Sequence, residues 1–533
     1  MSNGNGTSTL TVSLNSGGSL TYALSGNYSG ALFSASHTTT DSVIGIASGG
    51  VASAFVISSG QTSSGITLNS GDTLSVLSGG TAISTTVNNG GQETVFFGGS
   101  DSSATINSGG DEDVFGNASG ATLNNGGSQR VESGGTAIGT VLSGGEQDVF
   151  GAASGTVLDA NAVQIVDSGG IASGTVIDAT DSQVVLSGGT TISTSVLSGG
   201  QEILSGGVAS DTLIESGGVE TVSSGGIASG TTVTGAGPVS FGSPDVARQR
   251  VLSGGISIST TLIGSGANVF ATVDAVEVVL SGGVASETTV SSGGQLTVSS
   301  GGIDSGAIID SGGGATVFAG GIDSGTVINS GGGQGLGFFS GSTSQGGGTA
   351  VGTIINSGGF QSISSGGVAS GATIESGGLE TVFSGGLASN TTVSGGGQTV
   401  LSGGIASGTT IESGGFLGLG IFGSGSGGTA INTTDSGGFL GVNGGGVEIG
   451  GTLIGSGANE SVNSGGVASG TKVSSGGGQT VLSGGIASGT TIESGGFLGL
   501  GISVLAAAAR RSTLPIPAAF WGSMAAGLRS AAR

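Results

Sequence analysis

Side chains able to carry chemistry are scarce in this chain. It holds one histidine, His37, one lysine, Lys472, and no cysteine. A Cys/His dyad and a thiolate metal site are therefore impossible, and a Ser/His/Asp triad would have to use His37. His37 reads as a surface residue of an irregular terminal segment, so neither an enzyme nor a cofactor is expected. Carboxylates are the other candidates. "GGDEDVFG" brings Asp111, Glu112 and Asp113 together, and "GGEQDVFG" does the same for Glu146 and Asp148. Such clusters serve glycoside hydrolysis when they line a groove, and they suit calcium, which takes oxygen ligands. Solvated turn charges account for them more simply, and the calcium-binding nonapeptide G-G-x-G-x-D-x-U-x is not repeated. Asp304 and Asp323, from two "SGGIDSG" segments one unit apart, would stack as like charges with a cation conceivable between them. No metal site is expected elsewhere.

The elements that position these residues follow from a repeat. Glycine supplies 123 of 533 residues, against 4 prolines and 4% aromatics, which is far from the usage of an ordinary globular enzyme. The triplet "SGG" recurs with spacings that alternate between 8 and 11 residues, as at Ser357, Ser365, Ser376 and Ser384, so the unit is 19 residues long. One half reads "SGGVETVS" from Ser216 and the other "SGGIASGTTVT" from Ser224. Short β-branched segments of alternating polarity, bounded by Gly and Ser, are strand signals, and nothing keeps a helical period. Each unit is thus expected to be strand, turn, strand, turn. One unit cannot bury its own strands, but stacked units bury a continuous aliphatic column. The fold expected is an all-β, parallel β-solenoid with two strands per 19-residue repeat. Its core ladder is expected to include Val222, Val233, Val382, Val393, Val400 and Ile411. A flexible Gly/Ser linker is rejected because disorder does not require Val or Ile at fixed offsets.

Asp plus Glu outnumber Lys plus Arg by 32 to 8, so a phosphate backbone would be repelled and no nucleic-acid partner is expected. No run of about twenty apolar residues offers a bilayer span. Residues 1–45 match the unit poorly and read as an atypical cap or leader remnant, with no signal-peptide pattern. Residues 46–502 are the repeat solenoid. Its spacing breaks at 235–250, 333–352 and 416–428, where loops are expected to leave the coil. Residues 503–533 are of a different kind. Ser394–Ile421 and Ser475–Ile502 are identical over 28 residues, yet the continuation differs. If the DNA of Phe422–Thr452 recurs after Ile502 with one base lost, synonymous codons give every residue from Ser503 to Arg533, and Leu453 as CTG then yields a stop. The only tryptophan, Trp521, arises as the shifted reading of Leu440 and Gly441. Residues 503–533 therefore read as an out-of-frame copy of 422–452.

The units "SGGVETVSSGGIASGTTV" and "SGGLETVFSGGLASNTTV" resemble the repeat of AIDA-type self-associating autotransporter passengers. The resemblance spans roughly residues 46–502. It implies a right-handed parallel β-helix displayed on the cell surface of Gram-negative bacteria, anchored in the outer membrane by a translocator not visible in this chain. It further implies a non-enzymatic adhesin acting in autoaggregation and biofilm formation. Its partners would be a second copy of itself, surface glycans or proteins, and a glycosyltransferase that adds heptose to repeat hydroxyls. Carried to this chain, the candidate acceptors are Ser224, Ser229, Thr231, Ser384 and Thr391. A polysaccharide-acting β-helix enzyme and an ice-binding solenoid are the rival readings. Resequencing genomic DNA from the codon of Ser394 past the stop is expected to show the missing base; an unrelated coding sequence there would contradict the frame-shift reading.

Overall fold

The computed structural model describes the strand segments 7–13, 19–25, 31–37 and 42–48, then residues 52–501 apart from Ala179, Gly199, 236–245, 266–273, 341–342 and 421–426. Residues 503–533, expected to be an out-of-frame copy, lie outside the described residues, as do 236–245 and 421–426 of the loops expected at 235–250 and 416–428. Every regular element among the described residues is a strand, and no helix is long and apolar enough to cross a membrane. At the N-terminus, Thr7–Ser13 pairs antiparallel with Ser19–Ser25, and Ala31–His37 with Ser42–Ser48. The coils that follow pair in parallel. They form two compact units, the first running to Thr288 and the second starting at Thr289.

Each unit is a parallel β-solenoid whose coil carries three strands rather than the two expected. In the first unit one coil comprises Gln92–Val95, Ser100–Ser102 and Thr105–Ile106. In the second unit a corresponding coil comprises Leu379–Val382, Leu387–Ser389 and Thr392–Val393. The 8-residue half supplies the long strand. The 11-residue half folds into a middle and a short strand because its "SGT" or "SNT" segment bends in the left-handed region, with Gly230 at φ 70° and Asn390 at φ 52°. A bend inside what the spacing presents as one segment leaves no mark on hydrophobic periodicity.

The "SGG" corner has a separate reason for each glycine. Gly385 sits at φ 76°, where a side chain strains the backbone. Gly386 has no room: a Cβ there would lie 2.4 Å from the carbonyl oxygen of Ile363 in the coil below. The serine before them stays on the outer surface.

Coils stack in register. Leu379, Glu380, Thr381 and Val382 face Gly397, Gln398, Thr399 and Val400. Alternation along the strand then decides the core: Glu380 and Val382 point inward and Thr381 outward. Val222, Val233, Val382, Val393, Val400 and Ile411 are all fully buried. Together with the Ala of most middle strands, such as Ala228 and Ala388, they fill the interior.

The short-strand column accepts one carboxylate. Asp435, stacked between Ile411 and Leu453, is buried and accepts from the backbone N–H groups of Gly437, Gly438 and Asn459 at 3.0, 2.7 and 2.9 Å. The next residues after Val393 are also Ser-Gly-Gly, so an Asp at 393 would meet similar donors. Val382 is the cleaner probe of the core. Val382→Asp is expected to lower the stability of the second unit by on the order of 3 kcal/mol, through a buried acid without donors. A calorimetric melt matching the parent would place Val382 outside the core.

Candidate functional site

The outer face is built by the residues that alternate away from the core. Ser224 and Ser384 lie exposed at corners, and Ser229 is half-buried on its middle strand. The serines of successive middle strands stack: Ser370 on Ser389, and Ser389 on Ser407. Their hydroxyls also bond back to the coil below, as from Ser389 Oγ to the carbonyl of Ala369 at 3.3 Å. A second outward ladder is made of amides. Asn88 donates to Asn69, Asn107 to Asn88 and Asn124 to Asn107, at 3.1, 2.9 and 2.7 Å. The second unit has a shorter version in which Asn356 donates to Asn329, and Asn329 to Asp310, at 2.8 and 2.7 Å.

Two of the hydroxyls proposed as acceptors are not on this face. Thr231 and Thr391 are each only 1% exposed. In the "TT" pairs at 231–232 and 391–392 the first residue turns inward and the second outward, as strand alternation requires. The Thr231 hydroxyl donates to Glu220 Oε2 at 3.1 Å. A sugar on either threonine could not be accommodated in the folded coil, so the exposed serines and outward threonines such as Thr232 and Thr392 replace them as candidates.

The inner face holds what the sequence reading left in solvent. The second residue of each long strand is commonly Gln or Glu, and it is buried. Gln147 Nε2 donates to Gln129 Oε1 at 2.6 Å, Gln164 to Gln147 at 2.6 Å and Gln183 to Gln164 at 2.5 Å. Threonine hydroxyls from the neighbouring bend join the ladder, as from Thr175 to Gln164 Oε1 at 3.1 Å. In the second unit Gln398 donates to Glu380 Oε1 at 2.5 Å and Thr409 to Gln398 at 3.0 Å. An amide ladder is self-complementary, since each side chain both donates and accepts. A glutamate in it can only accept while ionised.

Burial therefore raises the acids of the column. Glu380 is pushed up to about 7, and Glu220 and Glu460 to about 8, with hydrogen bonds from Gln249 to Glu220 and from Gln479 to Glu460 offsetting part of the rise. Next to Glu220, Glu202 is also raised by burial while accepting from Thr191 and Thr212 at 2.8 and 3.0 Å.

The acidic runs singled out in the sequence are divided by the same alternation. Asp111 points out, Glu112 in and Asp113 out. Glu146 and Asp148 are on the outside, with Gln147 between them in the core. Arg130, which stacks between Asp113 and Asp148, bonds Glu132 at 2.8 Å and lies over the Phe150 ring at 4.6 Å. Asp304 and Asp323 do stack in register, but in the interior. Asp323 accepts from Thr326 and Gln334, and burial raises its carboxyl. Lys472 is at the surface, 2.9 Å from Glu493. His37 ends its strand and pairs with Ser42, its side chain lying outside the described residues.

A family model described as the adhesin of bacterial autotransporter system, probable stalk, matches residues 279–332 and 362–415. Among solved structures, the TibC-catalysed hyper-glycosylated TibA fragment is 30% identical, with 69% of this chain and 96% of that chain covered, at a TM-score of 0.34. No curated protein matches the chain.

The raised carboxyls fix a pH dependence. A folded acid with a raised pKa binds more protons than its unfolded form, so stability is greatest in acid and falls as pH climbs from 4.5 towards 7 through Glu380. The loss amounts to roughly 3 kcal/mol for such a shift. Glu380→Gln extends the amide ladder and removes the titration. It is expected to raise the stability of the second unit at pH 8 by up to about 3 kcal/mol, and to change it little at pH 4.5. Denaturant melts at the two pH values that differ equally for variant and parent would contradict this.

Proposed function

We propose, since the chain belongs to the AIDA-type adhesin stalks of the bacterial autotransporter system, that its repeat solenoid is a non-enzymatic surface rod acting by self-association. The passenger of such a system stands outside the cell. What supports self-association is the register of the outer face: identical hydroxyls and amides recur at one-coil intervals, about 4.8 Å apart, along each unit. A surface of that kind offers many weak, equivalent contacts to another copy or to a glycan, and affinity accumulates through multivalency. The chain is strongly acidic, at net charge −24, so copies repel at low ionic strength and associate once salt or divalent cations screen the charge.

We further propose that exposed hydroxyls, Ser224, Ser229 and Ser384 among them, accept sugar from a dedicated glycosyltransferase. Their accessibility supports this, together with the spacing of the ladders.

Cells that do not adhere, displaying residues 46–502, are expected to settle faster than controls, increasingly so with added salt. When the glycosyltransferase is present, peptide mass mapping is expected to place sugars on the outward serines and threonines and none on Thr231 or Thr391. Unchanged settling and surface binding at every ionic strength would overturn the adhesive reading; sugar on Thr231 in folded protein would overturn the acceptor assignment.

A further inference from the structure

One place in the first unit departs from the column rule in a way that ladder packing does not account for. The middle position of each middle strand is normally alanine, as at Ala82 and Ala118, whose Cβ leaves space for the long Gln or Glu opposite. Between those two coils the position is Asp101, in register with both alanines. Facing it are Glu93 and Glu112, themselves stacked on one another in successive long strands. All three are at most 2% exposed.

The hydrogen bonds of the triad are incomplete. Glu93 Oε1 accepts from Thr85 at 3.4 Å and Glu112 Oε2 from Gln129 at 2.8 Å. That leaves Glu93 Oε2, Glu112 Oε1 and both carboxylate oxygens of Asp101 buried with no hydrogen-bond partner. The backbone N–H groups of Ser102 and Ala104 point toward Asp101 and favour its charge without making a well-formed hydrogen bond to it. One oxygen from each of the three residues lies within 4.8 Å of the others.

We propose that Glu93, Asp101 and Glu112 form an internal divalent-cation site with the all-oxygen chemistry that suits Ca²⁺. Ca²⁺ takes oxygens at about 2.3–2.6 Å, and three carboxylate oxygens within 4.8 Å of one another can share one such shell. Three carboxylates in one buried pocket cannot all ionise unaided. Burial, reinforced by repulsion from Asp101, pushes Glu112 up to about 8 and holds Glu93 well above its usual range, while burial alone lifts Asp101 to about 6. A cation entering the site displaces the protons that these carboxyls share and releases them to solvent, so it binds more tightly as pH rises. The site stands apart from adhesion: it holds neighbouring coils together from within and leaves the outer ladders unaltered.

The test uses the full chain. Because the site is enclosed, the protein is refolded from denaturant with excess CaCl₂, freed of loose ions by gel filtration, and its retained calcium counted by mass spectrometry at pH 8 and pH 5. The expected result is one retained Ca²⁺ per chain at pH 8, fewer at pH 5, and a melting temperature raised by calcium. Asp101→Ala and Glu112→Gln each copy the residue of a neighbouring coil, Ala118 or Gln129, so both fold. Both are expected to retain no calcium and to melt at a calcium-independent temperature. Absence of retained calcium in the parent at pH 8 would overturn the site, as would equal retention by Asp101→Ala, which would place the bound ion among the surface acids.

Discussion

Parallel stacking in register sets Val382 on Val400, Glu380 on Gln398 and Thr381 on Thr399, and most of the structure depends on that constraint. Most positions meet a residue of similar kind one coil away. For aliphatics the result is a continuous dry column. For Gln and Asn it is a chain of amides in which a member can both give and take a hydrogen bond. A buried acid is tolerable there only if its charge is removed, capped or bound. Asp435 is capped by three backbone amides, Glu380 is raised by burial to about 7, and Glu93, Asp101 and Glu112 are left with oxygens facing one another.

Much of the solenoid is legible in the sequence because both of its periods are written there. The 19-residue recurrence of "SGG" marks the coil, and β-branched residues at fixed offsets mark the interior. What was missed has physical causes. The third strand is invisible because the bend at Gly230 or Asn390 interrupts neither polarity nor spacing. The inward Glu and Gln were legible in principle: counting back two residues from buried Val222 gives Glu220, which strand alternation places on the same face. The general rule that glutamate stays in water argued the other way, and here register and the ladder of amides override it. The same count separates Thr231 from Thr232. Asp101 was discernible as the one "SDS" where neighbouring coils read "TAI" or "NAS", but its meaning needed the long strand opposite.

The two faces of the coil divide the work. Outside, hydroxyl and amide ladders give a repetitive surface suited to many weak contacts, which is what an adhesin stalk requires. Inside, a polar column fixes which coil position sits on which. A purely aliphatic interior would bury more apolar surface but would let strands slip by a coil position at little cost, whereas a chain of side-chain amides loses partners when displaced. We regard the column as the device that holds register over long arrays of nearly identical units.

The central claim is that the "SGGxE" and "SGGxQ" side chains lie in the core, with burial raising the titration of their acids well above the usual carboxylate range. Infrared spectroscopy of the folded chain tests it directly, because the carbonyl stretch of a protonated carboxyl is resolved from that of a carboxylate. The account predicts a protonated-carboxyl band that persists between pH 6 and 7, weakens in Glu220→Gln and Glu380→Gln, and vanishes on unfolding at the same pH. Complete ionisation of the folded protein by pH 6 would place these glutamates in solvent and contradict the coil geometry described for both units.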